Sequence, residues 1–242
     1  TKDVVYLEEG EIAVITKDTY SVISASGKKL DKIPEKVEWD FEAVQKQGYE
    51  HFMIKEIFEA PEVIKNTIRG RLLVDKGKAK LGGLESVLKE LSSLNRLQIV
   101  GCGSAYYAGQ VGRYLLEEFA GLPTEVELAS EYRYKRNIPD KKSAVLAVSQ
   151  SGETADTLAS IREAKKMDVL TLGIINSVGS TIARETTAGV YNHAGPEIAV
   201  ASTKAFISQL TVFVLLTLLI GRERGMSEQE GREIAEALQA LP

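Results

Sequence analysis

From residue 97 onward, short apolar runs take turns with stretches of helical periodicity, and this alternation limits the fold more than any other feature of the chain. The strand segments stand at 97–100, 125–128, 144–148, 169–175 and 189–192, and helical patterns follow at about 105–119, 153–167, 180–184 and 202–220. Repeated strand-helix units of this length imply a parallel sheet, because each crossover between parallel neighbours needs a helix. Such a sheet is covered on both faces, so its strands read as continuous apolar runs. The sequence therefore predicts an α/β fold, a three-layer αβα doubly wound sandwich with a five-stranded parallel sheet.

Upstream the pattern differs. At 49–59 apolar residues recur at helical spacing, Pro61 opens a second helix toward residue 68, and 84–94 gives another amphipathic helix. Residues 4–15 read as two short β runs around the Glu9-Gly10 turn, and 20–23 as a third. So few short strands bury little apolar area, which makes them the edge or tail of a domain. Residues 28–47 are charged, carry Pro34 and lack periodicity, as a linker does. The expected division is 1–47 for that tail and linker, 48–225 for the α/β domain and 226–242 for a last helix. The last helix opens with Ser227-Glu228-Gln229-Glu230, which resembles a capping box. Its single apolar face is expected to pack against something the chain does not include.

Composition narrows the class. With 242 residues, one to two domains and a sizeable core are expected. The net charge of −4 and the lack of a basic stripe argue against a nucleic-acid partner. A single cysteine, Cys102, rules out an intramolecular disulfide and suits a reducing cytoplasm. The two histidines, His51 and His193, are too isolated to suggest a zinc site. No metal, nucleotide or flavin signature stands out, so no cofactor is expected. The start, Thr1-Lys2-Asp3, does not lead into a secretory signal. The apolar run 210–220 is shorter than the ~20 residues of a spanning helix. It reads as a core or interface helix rather than a membrane partner.

One strand-to-helix turn concentrates the chemistry. Ser149-Gln150-Ser151-Gly152-Glu153-Thr154 follows the apolar run at 144–148 and leads into a helix. In a parallel sheet such a turn lies at the carboxyl end of a strand, where the first N–H groups of the helix lack partners and favour an anion. Gly152 lets the backbone approach closely, and Ser149, Ser151 and Thr154 offer hydroxyl donors without net charge. A generic cap needs one such residue, and this turn has four polar side chains and a glycine. A phosphate group is the anion that fits. Glu153 would repel it, and its side chain is expected to point away, toward the helix dipole.

Three further turns fall on the same edge. Gly101-Cys102-Gly103-Ser104-Ala105 offers a tight turn and a hydroxyl, but the next glycine is Gly109, and the dinucleotide fingerprint fails. Cys102 has no histidine nearby in sequence to activate it and reads as a small packed residue. Asn176-Ser177-Val178-Gly179-Ser180 reads as an ordinary polar loop. The segment 195–204 brings Glu197, Ser202, Thr203 and Lys204 to the start of the apolar helix, where a cap and a solvated lysine are one reading and ligand contact the other.

These turns, with His51-Phe52-Met53-Ile54-Lys55-Glu56-Ile57, Ala129-Ser130-Glu131-Tyr132-Arg133-Tyr134, the run 149–158 and the run 197–206, resemble the SIS (sugar isomerase) domain family. Within it, residues 49–220 resemble the first isomerase half of the glucosamine-6-phosphate synthases. The resemblance implies an amidotransferase that makes glucosamine 6-phosphate from fructose 6-phosphate and glutamine. It assigns the phosphate to Ser149, Gln150, Ser151 and Thr154, and the sugar to Ser104, Val200 and Ser202. Ala105 stands where the family usually has a hydroxyl that reaches the phosphate, leaving only its N–H. The start of the chain resembles the closing strands of a glutaminase domain and its linker. The family's glutaminase cysteine, isomerisation base, ring-opening histidine and Schiff-base lysine match nothing here. The resemblance thus implies a central fragment that binds sugar phosphate, contributes no catalytic residue and pairs as a homodimer, with its glutaminase and second SIS domains missing. Two other readings stay open. A sugar-phosphate sensor would need a basic helix-turn-helix where 1–47 reads as strands and linker. A stand-alone phosphosugar isomerase would use Glu197 as base with His193 assisting.

Overall fold

The computed structural model describes residues 3–36, 45–138 and 140–242. The chain divides into two compact units, Thr1–Gln45 and Lys46–Pro242. In the first, β2 (Glu11–Ile15) pairs antiparallel with β3 (Tyr20–Ser24), which pairs with β4 (Lys29–Leu30), while β1 (Asp3–Val4) pairs with β5 (Glu35–Lys36). The hairpin turn is therefore at 16–19, where Thr16 and Thr19 bond through backbone and hydroxyls. It is not at Glu9-Gly10, which precedes β2 without joining two paired strands. Two short strands also interrupt the segment read as linker, whose residues 37–44 lie outside the described ones. Val22 is the only buried apolar side chain among the unit's described residues, so these ladders enclose little core.

The second unit carries α1 (Phe52–Phe58), α2 (Ala60–Ile68), the small hairpin β6 (Leu72–Leu73) and β7 (Lys78–Ala79), and α3 (Leu88–Ser92) ahead of the main sheet. The hairpin is too short to leave a pattern in sequence. The predicted helix at 84–94 begins as a tighter 3-10 stretch over Gly82–Val87. Then follow β8 (Arg96–Gly101), α4 (Ser104–Ala120), β9 (Thr124–Leu128), α5 (Ala129–Tyr132), β10 (Ser143–Ser149), α6 (Ala155–Lys166), β11 (Leu170–Ile175), α7 (Thr181–Glu185), β12 (Ala188–Tyr191), α8 (Lys204–Glu223) and α9 (Glu228–Gln239).

The five strands β12-β11-β10-β8-β9 lie side by side and all pair parallel, as expected. In β10 every residue is buried, and its side chains part by the strand's period of two. Ala144, Leu146 and Val148 join a core with α4, α8 and α9, while Val145 and Ala147 join a second core with α5, α6 and α7. The sheet is thus wound in both directions. From β8 the chain crosses outward to β9, and from β10 the other way to β11 and β12, so the switch point lies between β8 and β10.

Helix α8 has 20 residues and is long and apolar enough, by length and composition, to cross a membrane, longer than the apolar run alone suggested. In the fold 72% of its apolar window is buried, with Val212, Phe213, Leu215 and Leu218 in the larger core. An all-round apolar helix is what a position between α4 and the outer helices requires. The partner of α9 is also inside this unit, against expectation. Ala235 and Leu238 are buried in the larger core, and Gly231 passes so close to Gly77 that a Cβ there would overlap the Gly77 carbonyl. The capping box forms as read, Ser227 accepting from the Glu230 N–H and Glu230 from the Ser227 N–H.

Candidate functional site

At the switch point the carboxyl ends of β8 and β10 open onto a cavity of about 200 Å³. The turn after β8 contributes Cys102, Ser104 and Ala105, and the end of β10 with its turn contributes Val148, Ser149, Gln150, Ser151 and Thr154. The segment before α8 closes the third side with Glu197, Ala199, Val200 and Ser202, and Gln209 of α8 completes the lining. All eight residues singled out from sequence, Ser104, Ala105, Ser149, Gln150, Ser151, Thr154, Val200 and Ser202, therefore meet around one cavity. His193 is not among its lining residues.

The turn after β10 is preformed. The Gly152 N–H donates to Ser149 Oγ at 3.0 Å and the Glu153 N–H to Ser151 Oγ at 3.2 Å, while Ser149 Oγ lies 3.4 Å from Thr154 Oγ1. Gly152 has φ +67°, and a Cβ there would overlap the Ser180 hydroxyl, so this position excludes other residues twice over. Glu153 turns away as expected, accepting from the Thr181 N–H at 2.7 Å at the start of α7. The 176–180 loop does more than the sequence suggested. Ser177 N–H donates to the Gln150 carbonyl at 3.1 Å, and Asn176 bonds Gly195 and Ala194, tying two walls of the cavity together.

Two helices present their N-termini here, α4 with 17 residues and α6 with 12. Neither Gly103 nor Thr154, their N-cap residues, makes a side-chain capping bond. The Thr154 hydroxyl is thus not spent on capping, the Ser149 and Ser151 oxygens accept from the turn's own N–H groups with their protons left to donate, and both positive helix ends open on the cavity. Helix α8 differs: Glu197 Oε1 accepts from the N–H groups of Thr203 at 2.8 Å and Ala205 at 3.0 Å, and Oε2 from the Ser202 hydroxyl at 3.1 Å. That carboxylate is occupied in holding the helix start, which removes it as the free base that a stand-alone isomerase would need. The arrangement suits a dianion held by neutral donors and helix ends, with no lysine or arginine on the lining among the described residues.

Lys204 is not solvated, as the cap reading supposed. It is 3% exposed, and its Nζ bonds Glu59 Oε2 at 2.7 Å, while Lys55 Nζ lies 3.2 Å from Glu59 Oε1. Beside this group Glu56, 2% exposed, accepts from the Ile198 N–H at 2.7 Å and the Ala199 N–H at 3.2 Å. Sequence reasoning about the cavity missed Glu56 and Glu59. The available signal was the Lys55-Glu56 pair set among the apolar residues of α1, with Glu59 just after it, and such charges equally describe a solvated face.

A family model, the SIS domain, matches residues 90–219, which takes in every strand of the parallel sheet and the turns after β8 and β10. The chain belongs to the SIS family. Among its SIS relatives, glutamine–fructose-6-phosphate aminotransferase (isomerizing) of Chlorobaculum tepidum is 46% identical over 98% of this chain and 39% of that protein. The protein of the same name from Clostridium tetani is 43% identical over 100% of this chain and 40% of its own length. The chain thus spans about two fifths of the curated relatives it matches. Among solved SIS structures, the C-terminal domain of glucosamine-fructose-6-phosphate aminotransferase from Francisella tularensis superposes with a TM-score of 0.76 at 37% identity, covering 81% of this chain and 55% of that one.

Proposed function

We propose that this SIS chain is the fructose-6-phosphate-binding part of an enzyme that makes glucosamine 6-phosphate from fructose 6-phosphate and glutamine. The observation that carries the reading is the pair of uncapped helix N-termini, α4 and α6, opening on one cavity edged by Ser149, Ser151 and Thr154. The phosphate sits on the turn after β10, with Gln150 and the Ala105 N–H beside it. The sugar extends toward Ser104, Val200 and Ser202. The relatives' shared name supports this choice of substrate among sugar phosphates.

In this reading residues 1–47 are the tail of a glutaminase-like domain with its linker, and a second SIS domain and a partner subunit complete the cytoplasmic enzyme. The chain itself binds without turning over. On the cavity lining the carboxylate of Glu197 is committed to the α8 start, which leaves no free carboxylate or imidazole to move a proton between sugar carbons.

Calorimetric titration of the purified chain tests the reading. Fructose 6-phosphate is expected to bind more tightly than fructose or inorganic phosphate, and Thr154→Ala to weaken it about tenfold, the scale of one charge-assisted hydrogen bond. Equal binding of fructose and fructose 6-phosphate, or an unchanged affinity in Thr154→Ala, would sink it. Formation of glucosamine 6-phosphate from ammonia by the chain alone would overturn the absence of turnover.

A further inference from the structure

The side of the cavity formed by the segment before α8 has no regular structure and no fully buried side chain to pack it. Residues 197–203 form neither helix nor strand, and within them the Ile198 side chain is exposed and Val200 wholly so. Hydrophobic burial does not fix this backbone, so hydrogen bonds must. They come from two carboxylates on either side. Glu197 gathers the end of the segment at the α8 start, and Glu56, reaching from α1, accepts from the N–H groups of Ile198 and Ala199. Thr203 stands between them, its Oγ1 at 3.3 Å from Glu56 Oε2 and 3.3 Å from Glu197 Oε1, with one proton to share. Glu59 in turn ties α1 to α8 through Lys204, so the helix that bears Glu56 is itself anchored.

We propose that Glu56 is a positioning residue for the sugar, holding the 198–199 backbone so that Ala199, Val200 and Ser202 form a preset wall. The inference rests on reading the cavity as a sugar-phosphate site, and it deepens that reading by separating two halves of the recognition. The phosphate turn is built from β10, α6 and the 176–180 loop, none of which bonds Glu56. The wall depends on it. Loss of Glu56 leaves two N–H groups without their buried acceptor, and the segment then samples other conformations before the sugar binds.

Two measurements on the full chain decide this. In calorimetry, Glu56→Ala is expected to weaken fructose 6-phosphate about tenfold while inorganic phosphate stays within about twofold of the unaltered chain. Thr203→Val, which keeps the shape and removes the shared hydroxyl, is expected to move the same ratio in the same direction by about threefold. In amide hydrogen exchange without ligand, Ile198 and Ala199 are expected to exchange at least about tenfold faster in Glu56→Ala, with Gly152 and Glu153 unchanged. Equal weakening of both ligands would make Glu56 a general stability residue and overturn the proposal. So would unchanged exchange at 198–199. Should the unaltered chain bind neither ligand, the sugar-phosphate reading fails by itself, and the exchange data still decide whether Glu56 holds the wall.

Discussion

Ser149, Ser151 and Thr154 were legible as one polar turn at the end of a strand because the residues that make it lie close in sequence and need only the strand before them and the helix after. Glu56 was not, since the N–H groups it holds are 142 and 143 residues away and no local pattern records that distance. Lys204 illustrates the same limit: a lysine at a helix start reads as solvated until Glu59, at the junction of α1 and α2, is placed against it. A further single-residue consequence concerns Tyr132, buried in the smaller core beside Glu127. Burial first, and the Glu127 charge second, push its phenol up from 10.0 to about 12. The fold thus keeps the phenol neutral, and an unfolded chain ionises it first. The stability this contributes is whole below pH 10.0 and lost as pH rises through about 12. Spectroscopic titration of phenolate absorbance should find one fewer late-titrating tyrosine in Tyr132→Phe, and its denaturation midpoint should fall less steeply over that range. An identical late titration in both proteins would exclude the assignment.

At the scale of elements, all five strands and the helices α4, α6, α7 and α8 were readable, since four of the strands are largely apolar runs and these helices follow them in regular alternation. The elements that escaped were those with too few residues to carry a period, β4, β5, the β6–β7 hairpin and the four-residue α5, and those whose partners are remote. Helix α9 belongs to the second group. Its apolar face was visible, but that Ala235 and Leu238 meet α8 and the β7 hairpin was not, because only the folded chain brings those surfaces together. Leu238 is 3% exposed whereas Leu241 is 67% exposed, so the two leucines make a direct comparison. Leu238→Ala is expected to cost about 2–5 kcal/mol in chemical denaturation, and Leu241→Ala to stay within about 0.5 kcal/mol. Similar small effects from both would mean that α9 does not dock on this unit in solution.

For the molecule as a whole, the doubly wound order places the switch point between β8 and β10, and that single topological fact aims α4 and α6 at the same spot. The sequence carried the five strands but not their order, so the convergence of two helix ends emerged only with the fold. The substrate's phosphate should be held there by helix ends and hydroxyls, and the sugar by the wall that Glu56 and Glu197 fix. A crystal structure of the chain with fructose 6-phosphate tests this most directly. The phosphate is expected at the N-terminus of α6, within hydrogen-bond reach of the Ser149, Ser151 and Thr154 hydroxyls, with the sugar against residues 199–202. A phosphate bound elsewhere, with the cavity between β8 and β10 left to solvent, would contradict it.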